Sequence, residues 1–286
     1  MRLRRIKNLD NLRSSAAKME SSAMNIVTLI KQVPDTTEIK IDPKTGSLIR
    51  EGVESIINPD DRHAIELAIT LKKDYGGETT AISMGPAQAI DALSEAMGMG
   101  IDEGILLTDI NFGGADTWAT SFTLGTAIRK LKWYDLIICG RQAIDGDTAQ
   151  IGPQLAEFLG LPQLTYVKKI EEVSEKKIIV HRAVDDGYER IESPLPALIT
   201  VIGEMNTPRY PKIDLLINAC KDKAKIKIWD AADLGVTVQE IGLGGSLTKV
   251  LKTFSPKTKR EGEIIKGDSK EIINQLIDRL HEKHFI

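Results

Sequence analysis

A chain of 286 residues, 42% hydrophobic and 28% charged, has the balance of a globular protein with material for one large core or two modest ones. Its net charge of −3 offers no basic field for nucleic acid, and no apolar run approaches the roughly 18 residues that span a membrane. Two cysteines, Cys139 and Cys220, give neither metal-ligand spacing nor a disulfide framework, which fits a reducing compartment such as the cytoplasm.

Residues 1–23 stand apart. They carry Arg2, Arg4, Arg5, Lys7, Arg13 and Lys18 against only Asp10 and Glu20. The expectation is an extension outside the fold. The alternative is an organellar transit peptide, which would place the protein in the mitochondrial matrix.

Residues 25–31 (NIVTLIK) predict a first strand, followed by an excursion through Pro34, Pro43 and Gly46. Asn58 then reads as an N-cap, with Pro59 at the first helical position and Asp60 and Asp61 in the first turn. That helix runs to Tyr75, with Ala64, Leu67, Ala68 and Leu71 on one face, and Gly76-Gly77 stops it. A strand over 78–84, a turn at Gly85-Pro86 and a helix over 88–97 follow. Then come a strand over 103–108, an Asp116-capped helix over 117–131, a strand over 135–139 ending in Cys139, and a helix over 150–159. Such alternation predicts an α/β fold, a doubly wound parallel sheet with right-handed crossovers.

Beyond Gly160 the pattern changes. Residues 164–170 and 177–184 predict a small antiparallel section around a charged turn, and 195–201 another apolar strand. From Asn206 onward the elements are short. Only 271–283 shows helical periodicity there, with Ile272, Ile273, Leu276 and Leu280 in one stripe. The expected organisation is therefore a nucleotide-binding α/β domain over 24–205 and a C-terminal arm over 206–286. An arm with so little core of its own would bury its apolar surface on another subunit.

Two segments could carry a ligand. Gly140, Arg141, Gln142, Ala143, Ile144, Asp145, Gly146, Asp147, Thr148, Ala149, Gln150 and Ile151 join a buried strand to a helix, where open α/β sheets bind ligands. Its glycines permit close approach, and Thr148, Gln150 and backbone amides suit phosphate or ribose. Asp145 and Asp147 would repel phosphate, so they are expected to bind hydroxyls or cap the helix. The plain alternative is a well-capped loop. In residues 113–121 (GGADTWATS) two glycines precede a helix whose start carries Asp116, Thr117, Thr120 and Ser121. Spacings of three and four put the hydroxyls on one side, as a diphosphate cradle would need; the alternative is an Asp-capped helix with surface hydroxyls.

Other features carry less. Residues 242–246 (GLGGS) neither follow a strand of a βαβ unit nor open a long helix, and read as a flexible turn. His63 follows an acidic pair and is expected to face solvent. His181, His281 and His284 have no ligand spacing. There is no nucleophile with a visible base, no H-E-x-x-H and no P-loop, so neither hydrolysis nor a catalytic residue is expected.

One long stretch points to a family. Residues 180–191 (VHRAVDDGYERI), followed by Pro196 to Thr200 (PALIT), resemble the signature of the electron transfer flavoprotein β-subunit. Residues 140–151 are similar to its nucleotide loop. Asn58-Pro59 and residues 83–88 (SMGPAQ) match its other nucleotide contacts, and residues 233–236 (DLGV) match its tail. The resemblance covers roughly Met24 to the C-terminus. It implies the adenine nucleotide hydrolase-like version of the doubly wound sheet and a heterodimer with an α-subunit that holds its own FAD. It also implies a C-terminal arm embracing that partner. In ordinary members an AMP serves structure here and electrons arrive from acyl-CoA dehydrogenases. By position the pocket would use Leu29, Asn58, Asp60, Asp61, Met84 and residues 140–151. Met84 departs from the cysteine of some members, which a backbone contact would tolerate.

A second group in that family binds a complete FAD in the β-subunit, takes a hydride from NADH and bifurcates the electrons. One goes to ferredoxin or flavodoxin, the other through the α-subunit FAD to a dehydrogenase. Residues 115–121 and 244–250 look like the sequences of that group, and Thr117, Thr120 and Ser121 would supply the extra donors that FAD needs. Arg141 would be the nearest cation for an anionic flavin; binding phosphate or bridging to the α-subunit are its alternatives. Met205, within residues 201–210, falls at the family's partner-docking position, the alternative being a side chain folded inward. Competing readings are a purely structural AMP-binding subunit and a nucleotide-sensing stress-type protein. The latter leaves residues 180–200 and the long tail without an account.

Overall fold

The computed structural model describes residues 23–35, 54–131, 133–221, 225–251 and 262–286. The expected extension over 1–23 lies outside these residues except for Ala23, as do Pro43 and Gly46.

The chain forms β1 (Ile26–Leu29), β2 (Gln32–Pro34), β3 (Ser55–Ile57), α1 (Pro59–Tyr75), β4 (Thr79–Met84), α2 (Ile90–Met99), β5 (Glu103–Leu107), α3 (Thr117–Lys130), β6 (Leu136–Gly140) and α4 (Ile151–Leu159). It continues through β7 (Gln163–Val173), β8 (Lys177–Val184), β9 (Gly187–Pro194), β10 (Ala197–Val201), α5 (Ile213–Lys221), β11 (Ile226–Trp229), α6 (Ala231–Leu234), α7 (Gly242–Gly245) and α8 (Ser269–Glu282). One sheet has the order β11-β5-β4-β1-β6-β10-β7-β8-β9, and β2 pairs with β3 apart from it. Every neighbouring pair from β11 to β7 is parallel; β7–β8 and β8–β9 are antiparallel.

The central strands read as unbroken apolar runs because helices cover both faces. All four residues of β1 and all five of β6 and β10 are buried. Alternation along β1 divides the core: Ile26 and Ile30 join one apolar cluster with Ile65 and Leu67 of α1, Leu93 of α2 and Ala219 of α5. Val27 and Leu29 join the other with Leu124 and Ile128 of α3, Leu155 of α4 and Leu234 of α6. The sheet is thus wound on both sides, as the alternation predicts.

The chain runs from β1 outward to β4 and β5, then returns to β6 on the other flank of β1. The reversal point lies between β1 and β6, and a crevice opens there beyond the carboxyl ends of the strands.

The region after 206 departs from the expectation. α5 packs on α2, where Gly98 lies against Leu216 and Pro211, and β11 adds a parallel strand beside β5. The chain divides into compact units at Lys249/Val250, not at 205/206. In the smaller unit α8 opens with a capping box of Asp268 and Glu271 and buries none of its residues, leaving Ile273, Leu276 and Ile277 exposed. Among the described residues no helix is long and apolar enough to cross a membrane.

Candidate functional site

A cavity of about 880 Å3 occupies the crevice at the β1/β6 reversal, within the roughly 300–1,000 Å3 usual for cofactor sites. Leu29, Asp61, Met84, Asp116, Thr117, Thr120 and residues 140–143 and 146–151 line it; Asn58, Asp60, Ser121, Ile144 and Asp145 do not. Sequence reasoning missed Lys31, Thr108, Asp109, Ile110, Phe112 and Thr248, which also line it. Lys31 lies two residues beyond β1 and Thr108 directly follows β5, so the strand-end rule contained the signal for them.

Several nominated side chains have other work. Asn58 occupies the N-cap position of α1 but makes no capping bond. Its Nδ2 donates to the Gln142 carbonyl at 2.8 Å and its Oδ1 accepts the Ile144 N–H at 3.0 Å. The loop after β6 thus takes the amide that the helix start was expected to use. Asp145 neither caps α4 nor faces the cavity: both its oxygens accept from Lys31 Nζ, at 2.7 and 2.8 Å, and its side chain is 7% exposed. Asp147 accepts from Gln142 Nε2 at 2.8 Å and does not cap α4 either.

Asp61 ties the crevice together. Its Oδ1 accepts the Gly140 N–H at 3.0 Å and its Oδ2 the Lys31 N–H at 2.8 Å. Burial pushes this carboxyl up to about 7, against the pull of the Lys31 N–H, Asn58 and the Gly140 N–H. Beside it, burial also raises Asp60, opposed by Arg141, whose Nε lies 3.5 Å from the Asp60 carboxylate. Cys139 is buried at the end of β6, and that burial raises its thiol well above its usual value.

The two helix starts differ. Asp116 caps α3 by accepting the Ala119 N–H at 3.0 Å. Burial works to raise this carboxyl, but the Ala119 and Thr248 N–H groups and the Thr248 hydroxyl win and lower it. Its carboxylate is therefore occupied, and the N–H groups of Thr117 and Trp118 remain as donors there. α4 has no side-chain cap. Pro153 has no N–H, so Ile151 and Gly152 supply that start's free donors. An uncapped start with its partial positive charge is the better phosphate seat.

The proposed hydroxyl cradle is divided. Thr117 Oγ1 donates to Gln150 Oε1 at 2.9 Å and Ser121 Oγ to Gln154 Oε1 at 3.2 Å, so both join α3 to α4. Ser121 is 1% exposed; it closes the helix pair from behind while Thr117 and Thr120 face the cavity.

Two further expectations are corrected. Residues 242–246 are no flexible turn. They form α7 and dock on the start of α3: the Asp116 N–H donates to Ser246 Oγ at 2.9 Å and the Leu243 N–H to the Gly113 carbonyl at 3.1 Å. Gly242 has φ +52°, and a Cβ there would lie 1.9 Å from the Asn111 carbonyl oxygen; close approach, not looseness, explains the glycine. His63 does not simply face solvent, since its Nδ1 lies 3.0 Å from Asn206 Oδ1. Met205 is half-buried and packs against the apolar cluster beneath α1. Among the described residues no group of three His, Cys, Asp or Glu could hold a metal.

A doubly wound parallel sheet with a ligand-sized crevice at its reversal point, flanked by two helix starts, is the architecture in which open α/β sheets bind ligands. The profile of the electron transfer flavoprotein domain matches residues 45–234. The chain is 56% identical to the electron transfer flavoprotein subunit beta of Thermoanaerobacterium thermosaccharolyticum and 52% to that of Clostridium acetobutylicum, each over 92% of this chain and all of the relative. It is 49% identical, over the same shares, to the caffeyl-CoA reductase-Etf complex subunit CarD of Acetobacterium woodii. The chain belongs to the electron transfer flavoprotein family and is one of its β-subunits.

Proposed function

We propose that this β-subunit binds FAD in the crevice and serves flavin-based electron bifurcation. In this reading it takes electrons from NADH and delivers them to ferredoxin or flavodoxin and, through an α-subunit FAD, to an acyl-CoA dehydrogenase or a related flavin dehydrogenase. The observation that carries the reading is the reach of the cavity. It does not stop at the start of α4, where one phosphate has its donors, but continues past the start of α3 to Thr108, Phe112 and Thr248. An AMP leaves that second half unused; a dinucleotide needs it. A relative named as part of a complex with caffeyl-CoA reductase points the same way.

The residues fit the group. Ile151 and Gly152 would hold one phosphate on the α4 start, and Thr117 and Trp118 N–H groups the second on the α3 start. Leu29, Ile82, Phe112 and Leu124 give apolar wall. A bound flavin supplies hydride acceptance and single-electron release, and the protein supplies binding, orientation and field. Arg141 lines the cavity as a half-exposed cation, its charge partly spent on Asp60. The exposed apolar stripe of α8 supports an arm that closes on the α-subunit.

The test is composition. The heterodimer purified with its α-subunit should hold two FAD and no AMP, and NADH should bleach flavin absorbance. One FAD with one AMP would establish instead the ordinary carrier, with AMP in a structural role.

A further inference from the structure

We propose that Tyr166 is a positioning residue of the crevice: from outside the cavity wall, its ring limits where the Arg141 guanidinium can point and so directs that charge at a bound nucleotide. The inference deepens the reading of the crevice as a nucleotide site and rests on it.

Tyr166 breaks the local rules of its strand. Among the described residues it is the one with a side chain that takes a left-handed backbone inside a strand, at φ 57° in β7. A bulky residue is an outlier in that region, and such strain persists where the surroundings enforce it, commonly beside a site. The cause is a bulge. Ile199 of β10 pairs with Leu164 and Val201 with Val167, so Thr165 and Tyr166 together face the single Thr200. The extra residue lets Leu164 and Val167, three apart, enter the same apolar cluster. Thr200 is 2% exposed, and its hydroxyl accepts the Tyr166 N–H at 3.1 Å, which gives the bulged N–H its acceptor. Bulges re-aim side chains beside sites; this one sets Tyr166 near Arg141.

Arg141 needs such a neighbour. It directly follows β6, and its N–H donates to the Val201 carbonyl at 2.9 Å, which places it beside the bulge. Arg141 lines the cavity, whereas Tyr166 does not. Arg141 Nε is shut off from solvent and has no hydrogen-bond partner among the described residues; the Asp60 carboxylate lies 3.5 Å from it. No hydrogen bond therefore fixes the guanidinium at that atom. The Tyr166 ring centroid lies 6.0 Å from Arg141 Cζ, at the outer reach of a cation–π attraction. The Asp60 charge and the Tyr166 ring both bound the swing of the side chain. An arginine with restricted rotamers loses less freedom when it grips an anion, and that raises affinity.

The test is a double-mutant cycle on the full-length chain stripped of nucleotide, with AMP and FAD as probes and affinity read by calorimetry. Tyr166→Leu should weaken binding of the probe about fivefold, and Tyr166→Phe, which keeps the ring, should recover most of that loss. Arg141→Gln should also weaken binding. Adding Tyr166→Leu to it should weaken binding no further, because a residue that acts through another has no effect once the other is gone. Thr200→Val removes the acceptor for the Tyr166 N–H but keeps the methyl beside Gly152. It should show the same dependence on Arg141, which keeps the idea testable if Tyr166→Leu misfolds. An equal loss with and without the Arg141 guanidinium would mean that Tyr166 acts on the nucleotide or the fold directly, and would overturn the proposal. Unchanged affinity in Tyr166→Leu and Thr200→Val would overturn it too, as would an Arg141→Gln chain that binds as tightly as wild type. If the wild-type chain binds neither probe, the nucleotide reading itself fails and takes this inference with it, a result distinct from the others.

Discussion

Asp61 and Gly140 meet across the reversal point of the sheet: one carboxyl oxygen accepts the Gly140 N–H at 3.0 Å while the other accepts that of Lys31 at 2.8 Å. One side chain of α1 thus fixes the tips of β1 and β6 at the width the cavity requires. Burial opposes its charge and raises it to about 7 from an ordinary carboxyl value of 3.8. The native state therefore holds this proton more tightly than the unfolded chain does. The associated stability is fully present below the ordinary value and is lost as pH rises to about 7. A shift of this size is worth on the order of 4 kcal/mol. Asp61→Asn should remove that pH dependence, at the expense of about 1–3 kcal/mol because an amide cannot accept both N–H groups. Urea unfolding at pH 5 and pH 8 checks it; equal slopes in variant and wild type would refute the assignment.

The same contact explains why residue 140 is glycine. A Cβ there would lie 2.4 Å from Asp61 Oδ1 and 2.7 and 2.8 Å from the Asp60 Cβ and carbonyl carbon. The helix backbone cannot step aside as a side-chain tip would. Gly140→Ala should cost about 1–3 kcal/mol by overpacking and release the nucleotide. A melting curve and the nucleotide content after gel filtration report both. Gly146→Ala is the control: nothing lies within 4 Å of its Cβ position, and the change should stay within about 0.5 kcal/mol.

What could be read in the sequence follows from what is periodic. α1, α3 and α4 and strands β1, β4, β5, β6 and β10 repeat apolar residues at their own spacing, so the doubly wound core was legible. β9 was not, because Tyr188, Glu189 and Arg190 lie exposed in an antiparallel flank and carry no apolar alternation. β11 was not either, because only Ile226 of its four residues is buried and Lys227 breaks the apolar run. The cavity-lining loops were legible as segments but not as directions. Asn58 looks like a helix cap because it precedes Pro59, Asp60 and Asp61, and only the folded position of Gln142 and Ile144 shows a better partner. Thr117, Thr120 and Ser121 share a helix start, yet Gln154 of α4 claims Ser121 across the sequence. Local spacing says which residues are neighbours; it does not say which neighbour wins.

Ala149 tests whether backbone strain belongs to the site. At φ 52° a residue with a Cβ costs about 1–2 kcal/mol in this region, while glycine gives back roughly 0.5–1 kcal/mol through a freer unfolded chain. Ala149→Gly should therefore leave stability level or raise it by up to about 1.5 kcal/mol. The same freedom loosens the loop, so AMP and FAD should bind several-fold more weakly. A variant that is both destabilised and unimpaired in binding would show that the strain is incidental.

Met205 has two candidate roles that separate experimentally. It packs half-buried against the core cluster under α1, and the segment just beyond it is clamped to α1 at two points. Asn206 Nδ2 donates to the His63 carbonyl at 3.0 Å, and the Arg209 guanidinium and N–H reach the Glu66 carboxylate at 2.7–3.0 Å. As a core residue, Met205→Ala should cost on the order of 1 kcal/mol, less than a fully buried methionine would, and change nothing else. As a docking anchor it should raise the KM for the dehydrogenase several-fold, with kcat and flavin content unchanged. We expect the second outcome beside the first, because a clamped segment presents its side chain to a partner at low entropic cost. Arg209→Ala discriminates further. It removes the clamp from a site that need not touch the partner, and the exposed Tyr210 follows it directly. If docking depends on a fixed segment, Arg209→Ala should raise the same KM; if Met205 acts alone, only Met205→Ala will.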